Sequence, residues 1–430
     1  MDSKNIRMPW AEVSQRWGHP WHSMCSYLGT FPPVMAHALI QVHTDEGDLV
    51  YDPFSGRGTT ALEARILNRR AAGSDLNPLA VALSRAKAGN VEKGAVLDRI
   101  DSLERRYDKV LYKAEAQGQP DDIQLIYNPA TLGQLCYLRR RLGRKPTDID
   151  SFLVGVVLGV MHGAERQGGG SAYASISMPN TFSMSPEYVR RFVQEKRLQR
   201  VPRDVFRIMR EKVERLFKVT QPVGNPASIW RADAKRLMTT PEAAALQGEV
   251  DLILTSPPYL NIVNYALQNW IRLWFLDEAP TEVDSDLDDN LAIGPWVGFM
   301  DEVLEQSKLL LKPGGVIVLV IGDVARPSSN VLSPARELIR HVKHKGSFAY
   351  VGCAVDRLNT GEKVSRIWKN TKGNATAIDR VVVLSDATPR LRQFDGSPFG
   401  LDADEHDDLD PARLAEYATE YAGTQLRPSA

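Results

Sequence analysis

Two short loops in this sequence carry residues whose types and spacing suit chemistry. One is Thr255-Ser256-Pro257-Pro258-Tyr259, directly after the apolar run Val250-Asp251-Leu252-Ile253-Leu254. A residue before proline is held extended, and two consecutive prolines fix the next two φ angles. The carbonyls of Ser256 and Pro257 therefore point in set directions. An amino group conjugated to an aromatic ring is a poor nucleophile because its lone pair is delocalised, and acceptors on its two N–H groups favour the pyramidal, reactive form. The Ser256 hydroxyl and a rigid carbonyl supply such acceptors. Tyr259 adds a flat face on which an extruded base can stack. As structure alone, the same pentapeptide is a proline-rich turn closing a strand.

The other loop is Pro53-Phe54-Ser55-Gly56-Arg57-Gly58, between a short apolar strand (48–52) and a helical pattern (59–68). Gly56 and Gly58 remove side chains where the backbone must approach a ligand, and the helix N-terminus behind them offers N–H groups to a carboxylate or phosphate. Gly56-Arg57-Gly58-Thr59-Thr60-Ala61 fits the dinucleotide-binding pattern literally. Asp75, ending the next strand (71–75), is spaced to hold ribose hydroxyls. By itself this turn is open to a nicotinamide cofactor, a sulfonium cofactor or no ligand.

Together, the two loops resemble the amino-methyltransferase family of DNA base modifiers, whose hallmarks are Asp-Pro-Phe-x-Gly-x-Gly-Thr-Thr and (Asp/Asn/Ser)-Pro-Pro-Tyr. Here they read 52–60 and 256–259. The resemblance covers roughly residues 19–90 and 225–385, and it displaces the nicotinamide reading in favour of S-adenosylmethionine. It implies a cofactor site drawn from Asp52, Phe54, Gly56, Gly58, Thr59, Thr60, Asp75 and Asn77, with Asp75 on the ribose and Asp233 near the adenine amino group. Asp75 and Asp233 also read as strand-end acids capping the next turn. The segment 27–33, with Thr30 and Phe31, resembles the family element that touches the methionine end of the cofactor. Ser256, Pro257, Pro258 and Tyr259 form the implied catalytic loop, acting on a flipped base in DNA without a metal.

Ser at position 256 is the usual residue of cytosine-N4 enzymes, and Asp or Asn that of adenine-N6 enzymes. Cytosine is therefore the expected target. Adenine N6, an RNA base amino group and a catalytically silent DNA-binding subunit remain alternatives; the intact Gly56, Gly58 and Ser256 argue against the last. In many cytosine-N4 enzymes the Ser-Pro-Pro-Tyr segment precedes the glycine turn, whereas here it follows. The resemblance leaves room for a restriction endonuclease or other defence-system component as a partner, in a restriction-modification context.

These loops need a frame, and the pattern supplies an alternating α/β sheet of Rossmann-like methyltransferase type with a helical insertion. Further strands are expected at 228–232, 250–255, 316–321, 352–356 and 380–384. Lys312-Pro313-Gly314-Gly315 is expected to end the intervening helix by glycine capping. Between the sheet halves the pattern turns helical at 129–142, 149–162 and 203–217. The expected organisation is 1–90 for the cofactor side, 91–224 for the insertion, 225–386 for the catalytic-loop side, and 387–430 for a polar, disordered tail.

The insertion is a candidate target-recognition region. Its stretch 188–218 is rich in cations, with Arg190, Arg191, Arg197 and Arg200 foremost, and reads either as a phosphate-binding surface or as an ordinary solvated face. Tyr265, Trp270, Trp274 and Phe275 read as core packing on a helix. Overall, 53 Lys plus Arg balance 53 Asp plus Glu, so a nucleic-acid partner must be held by local patches. Three scattered cysteines (Cys25, Cys136, Cys353) fit neither a disulfide framework nor a zinc site. With no apolar signal region and no membrane span, the expected location is cytoplasmic.

Overall fold

A computed structural model of the chain describes residues 18–29, 32–143, 146–165, 171–178, 184–219, 222, 224–258, 265–288, 291–325, 331–357 and 374–386. Seven strands make one mixed sheet: β1 Leu49–Asp52, β2 Arg70–Asp75, β3 Ser228–Arg231, β4 Val250–Thr255, β5 Leu311–Ala325, β6 Ala349–Arg357 and β7 Asn374–Ser385. Their order is β3-β2-β1-β4-β5-β7-β6, and a two-residue strand, Val331–Leu332, pairs with β5. The first five run parallel and β7 lies antiparallel to both neighbours. This is the expected Rossmann-like methyltransferase sheet. Strand order reverses between β1 and β4, where an open α/β sheet leaves a crevice at the carboxyl ends of its strands.

Period-2 alternation of the sheet residues builds two apolar layers. Val50, Leu252, Leu254, Val316, Val318 and Val320 face α1 (Pro33–His43) and α2 (Thr59–Ile66). Tyr51, Ile253, Ile317, Leu319 and Ile321 face the opposite way, against Trp296, Phe299, Met300 and Val303 of a helix at Ile293–Leu310 and against the helix Pro334–Lys345. With both faces covered, the strands read as continuous apolar runs.

After α3 (Pro78–Arg85) come seven helices, α4 Lys93–Arg105, α5 Lys109–Gln117, α6 Asp121–Ile126, α7 Pro129–Leu142, α8 Asp148–Val160, α9 Pro186–Lys196 and α10 Val205–Leu216. They share one core with Leu79 and Leu83 of α3 and with α12 (Trp270–Phe275), which follows the short α11 (Pro241–Ala244). The helical segment thus packs directly on the catalytic half. Trp270, Trp274 and Phe275 are buried there, as their spacing implies. The chain continues through α13 (Pro280–Asp286), α14 (Ile293–Leu310) and α15 (Pro334–Lys345).

One expectation is corrected. Lys312-Pro313-Gly314-Gly315 does not cap a helix: α14 ends at Leu310, and Leu311 is already extended at φ −69° and ψ 140°. The segment is an irregularity inside β5, where the register with β4 shifts between Val250 and Leu252. Gly314 takes φ +80° there, and a Cβ on Gly315 would press on the Val250 carbonyl at 3.0 Å. A bulge that re-aims a strand calls for glycines as much as a helix end does. The tail 387–430 lies outside the described residues.

Two glycines make a paired test of this packing. A Cβ on Gly159 of α8 would overlap the Met24 carbonyl, whereas one on Gly94 of α4 meets nothing within 4 Å. Gly159→Ala should cost about 1–3 kcal/mol or more in denaturant unfolding through forced backbone shifts. Gly94→Ala should be neutral or stabilising by up to about 1 kcal/mol. Equal effects of the two would sink this account of α8 docking.

Candidate active site

Asp52, at the carboxyl end of β1, is where the two loops meet. Its buried Oδ1 accepts the Phe54 N–H at 3.0 Å, and the Thr255 hydroxyl at 2.5 Å. The glycine turn and the catalytic loop are thereby tied across neighbouring parallel strands. Burial pushes the Asp52 carboxyl up to about 6, against the pull of the Thr255, Thr60 and Phe54 donors. Thr60 also donates to the Leu254 carbonyl at 3.3 Å.

The turn itself is held from below. The single hydroxyl proton of Ser84 on α3 is shared between Ser55 Oγ and the Gly56 carbonyl, both at 3.1 Å. Gly58 has φ +77°, and a Cβ there would stand 2.9 Å from the Ser84 Cα, so this glycine serves close approach of α3. Gly56, at φ +50°, faces the pocket instead. Its N–H donates to Asp75 Oδ2 at 2.9 Å, and the Asn77 N–H to Asp75 Oδ1 at 2.9 Å. Burial raises the Asp75 carboxyl to about 7 even though the Gly56, Asn77 and Leu76 N–H groups pull it down.

Both carboxyls are shifted upward from about 4, so the fold favours their neutral forms. Their contribution to stability is intact below that value and is lost as pH rises through about 6 for Asp52 and about 7 for Asp75.

Over these carboxylates opens a pocket whose wall joins both halves of the sheet. Phe54, Gly56, Asp75, Leu76 and Asn77 come from the first half, and Asp233, Ser256, Pro258, Tyr265 and Phe299 from the second. Its void, open to solvent on one side, measures about 640 Å³ with that open solvent included. Asp75, Asp233 and Asp288 line it, and no Lys or Arg does among the described residues. Such a wall offers acceptors to ribose hydroxyls and puts no cation in place for the pyrophosphate of a dinucleotide. The glycine turn therefore fits the adenosyl sulfonium, not nicotinamide.

On the catalytic side Trp296, buried on α14, donates its Nε1–H to the Pro258 carbonyl at 3.0 Å. The two-proline loop is thus anchored at its far end. The Ser256 hydroxyl oxygen is shielded from water and has no hydrogen-bond partner among the described residues. A buried, unpaired acceptor on a pocket wall is a costly arrangement that a ligand N–H can relieve.

Of the residues expected from the sequence, Phe54, Gly56, Asp75, Asn77, Asp233, Ser256 and Pro258 line this pocket, and Pro257 is buried behind them. Asp52, Gly58, Thr59 and Thr60 lie buried beneath the turn and support it. Thr30, Phe31 and Tyr259 lie outside the described residues. Four wall residues have no local signal: Tyr265 sits in an aromatic pattern typical of a core, Phe299 in an amphipathic helix, and Leu287 and Asp288 after a short acidic helix.

The arginines of the insertion are largely engaged by neighbours. Arg190 makes a bidentate pair with Asp122 at 2.6 and 2.8 Å, and Arg200 donates to the Gln124 carbonyl at 2.8 Å. Arg191 faces Glu195 at 3.9 Å and lies over the Tyr188 ring, while Arg197 is exposed and ends α9 at φ +49°. Arg203, Arg207 and Arg210 pair with Glu165, Glu211 and the Asp101/Glu104 pair. Such lacing is the pattern of a solvated face.

The sequence profile of a family described as DNA methylase matches residues 3–85 and 250–380. The type II methyltransferase M.MjaII of Methanocaldococcus jannaschii is 27% identical over 135 residues, covering 30% of this chain and 25% of its own. The type II methyltransferase M.XycI of Xanthomonas campestris pv. cyanopsidis is 41% identical over 59 residues, covering 14% of this chain and 20% of its own. The matched stretches thus span a quarter or less of these relatives' length. A putative DNA modification methylase from Thermus thermophilus, solved with S-adenosyl-L-methionine, is 21% identical over 38% of this chain and 55% of that chain, at a TM-score of 0.23. That superposition is too loose to inform the site. Through residues 3–85 and 250–380, the two segments that carry the glycine turn and the catalytic loop, the chain belongs to the N4/N6 DNA methylase family.

Proposed function

We propose that this protein transfers a methyl group from S-adenosylmethionine to the exocyclic N4 amino group of cytosine in DNA. The observation that carries this reading is the unpartnered Ser256 hydroxyl oxygen on the same pocket wall as Asp75 and Asp233. The cofactor supplies an electrophilic methyl carbon on a positively charged sulfur. Asp75 and Asn77 would hold its ribose, and Asp233 would stand near its adenine.

The flipped base would enter from the Ser256 side. The Ser256 hydroxyl accepts one amino N–H and a loop carbonyl accepts the other, which concentrates the nitrogen lone pair toward the methyl group. Formation of the nitrogen–carbon bond would be balanced by loss of the methyl group's bond to sulfur, with S-adenosylhomocysteine as the leaving group. The surplus amino proton then departs along one of these hydrogen bonds. Tyr259 would stack on the base, and the Trp296 bond to the Pro258 carbonyl keeps the loop from yielding as the base docks. Ser at position 256, where adenine enzymes usually carry Asp or Asn, supports cytosine.

Nucleoside mass spectrometry after incubating DNA and RNA with protein and methyl-labelled cofactor tests the reading directly, with 4-methylcytosine in DNA as the expected product. Labelled 6-methyladenine alone would reassign the base, and label only in RNA would overturn the substrate. Ser256→Ala should lower kcat by about a hundredfold or more with cofactor affinity nearly unchanged, because the lost acceptor acts in the transition state.

The Asp75 carboxyl adds a pH test. Ribose hydroxyls donate best to an ionised acceptor, and Asp75 ionises at about 7. Cofactor affinity measured by calorimetry should therefore rise by up to about tenfold from pH 6 to pH 8. Asp75→Asn should bind more weakly and lose that rise. A wild-type affinity flat across this interval would remove Asp75 from the ribose.

A further inference from the structure

Tyr27 and Tyr265 reach the pocket wall from two segments far apart in the chain. Their rings stack with centroids 5.6 Å apart and planes 24° apart. Tyr27 belongs to the cofactor half, since its hydroxyl accepts the Asn77 side-chain N–H at 3.2 Å. Tyr265 belongs to the catalytic half, because it precedes α12 and follows the Ser-Pro-Pro-Tyr loop. A stack between two separate segments keeps its geometry only if both backbones are fixed, since offset aromatic pairs are themselves worth only about 0.5–1.5 kcal/mol.

Both backbones are fixed by one side chain. Arg272 on α12 is 1% exposed, and its guanidinium donates in three directions. Nη1 and Nη2 reach the Ser26 carbonyl at 3.1 Å and the Ser26 hydroxyl at 3.0 Å, fixing the residue before Tyr27. Nη1 also reaches Asn269 Oδ1 at 2.8 Å, and the Asn269 side-chain N–H donates to the Tyr265 carbonyl at 2.8 Å. Nε donates to the Leu158 carbonyl at 3.1 Å near the end of α8, the insertion helix whose Gly159 is pressed against Met24. A planar fork of five N–H donors can serve three segments at fixed angles, and a lysine ammonium on a flexible stem cannot.

We infer that Arg272 is a positioning residue: its guanidinium holds the Tyr27–Tyr265 stack in register as a wall of the reaction pocket and ties that wall to the end of insertion helix α8. The inference rests on the proposed methyl transfer only for its catalytic consequence. A shift of the insertion on substrate would be felt at Leu158, and through Arg272 at both tyrosines.

The test is Arg272→Lys, which keeps the charge and loses the fork, with Asn269→Ala removing only the Tyr265 arm. Hydrogen exchange of the cofactor-free protein reads the clamp itself. In Arg272→Lys, peptides covering 26–29 and 265–269 should gain exchange together while β1 and β4 stay protected. In Asn269→Ala only 265–269 should loosen. Calorimetry should show S-adenosylmethionine binding weakened by about tenfold in Arg272→Lys, the effect of one or two charge-assisted hydrogen bonds. Methyl transfer, which needs the wall on both sides, should fall further in kcat, by about a hundredfold.

Wild-type exchange in both peptides of a folded Arg272→Lys would overturn the inference, as would coupled loosening of both peptides in Asn269→Ala. If Arg272→Lys does not fold, unchanged exchange at 265–269 in Asn269→Ala overturns it alone. A wild type that binds cofactor but labels no nucleic acid would defeat the proposed function, while exchange and calorimetry would still judge the clamp.

Discussion

The architecture of this site depends on one buried carboxylate. Asp52 ends β1 with one oxygen shared between the Phe54 N–H and the Thr255 hydroxyl. That oxygen joins the loop that would hold a cofactor to the loop that would meet a base. The two are separated by about 200 residues of chain yet adjacent in the sheet, because β1 pairs in parallel with β4 at Val50 and Tyr51. A carboxylate buried this deeply is tolerated only when its lone pairs are used, which makes Asp52 a register pin for the crevice between the strands. Burial still pushes its carboxyl up to about 6 after those bonds are made.

Charge then decides what the crevice admits. Three carboxylates face the pocket, and Lys235 stands beside them, bound to Asp288 at 2.7 Å and lying over the Phe299 ring. A glycine turn followed by a helix is shared by sites for phosphates and for sulfonium cofactors. What separates them here is the charge lining the pocket, built by residues from three places in the chain. The Ser256 oxygen, without a partner among the described residues, adds a contrast: on the cofactor side the Asp75 oxygens already accept the Gly56 and Asn77 N–H groups.

The helical insertion is part of the same cooperative unit. Its seven helices share a core with α3 and α12, and α8 presents glycines where Met24 and Ala86 come close. Four of its arginines, Arg190, Arg203, Arg207 and Arg210, are paired with Asp122, Glu165, Glu211 and the Asp101/Glu104 pair. Exposed pairs of this kind add little stability each, but they take cations away from an external phosphate. Arg272 is the opposite case, a buried guanidinium whose partners are carbonyls, a hydroxyl and an amide. The difference follows from dielectric: at the surface a carboxylate is the cheap partner, and in the core neutral acceptors already ordered by the fold serve a fixed fork.

By itself the sequence determined the local pieces. The β1–glycine turn–α2 unit, the Val250–Thr255 strand with its two-proline loop, and helices such as Pro129–Leu142 are legible because period, capping and fixed proline φ act within a few residues. The pairing of two loops whose chemistry makes sense only together was legible for the same reason. Tertiary structure alone decided which of those residues face the ligand and which hold the turn from below, as Gly58 shows by making way for Ser84. It brought Tyr265, Leu287, Asp288 and Phe299 to the pocket wall, and it paired Arg190, Arg203 and Arg210 with distant carboxylates. It also made Lys312-Pro313-Gly314-Gly315 a bulge within β5 instead of a helix cap. In each case the deciding neighbour lies tens of residues or more away in the chain, so a residue's partner, and with it the sign of the field around it, is set by packing and not by local pattern.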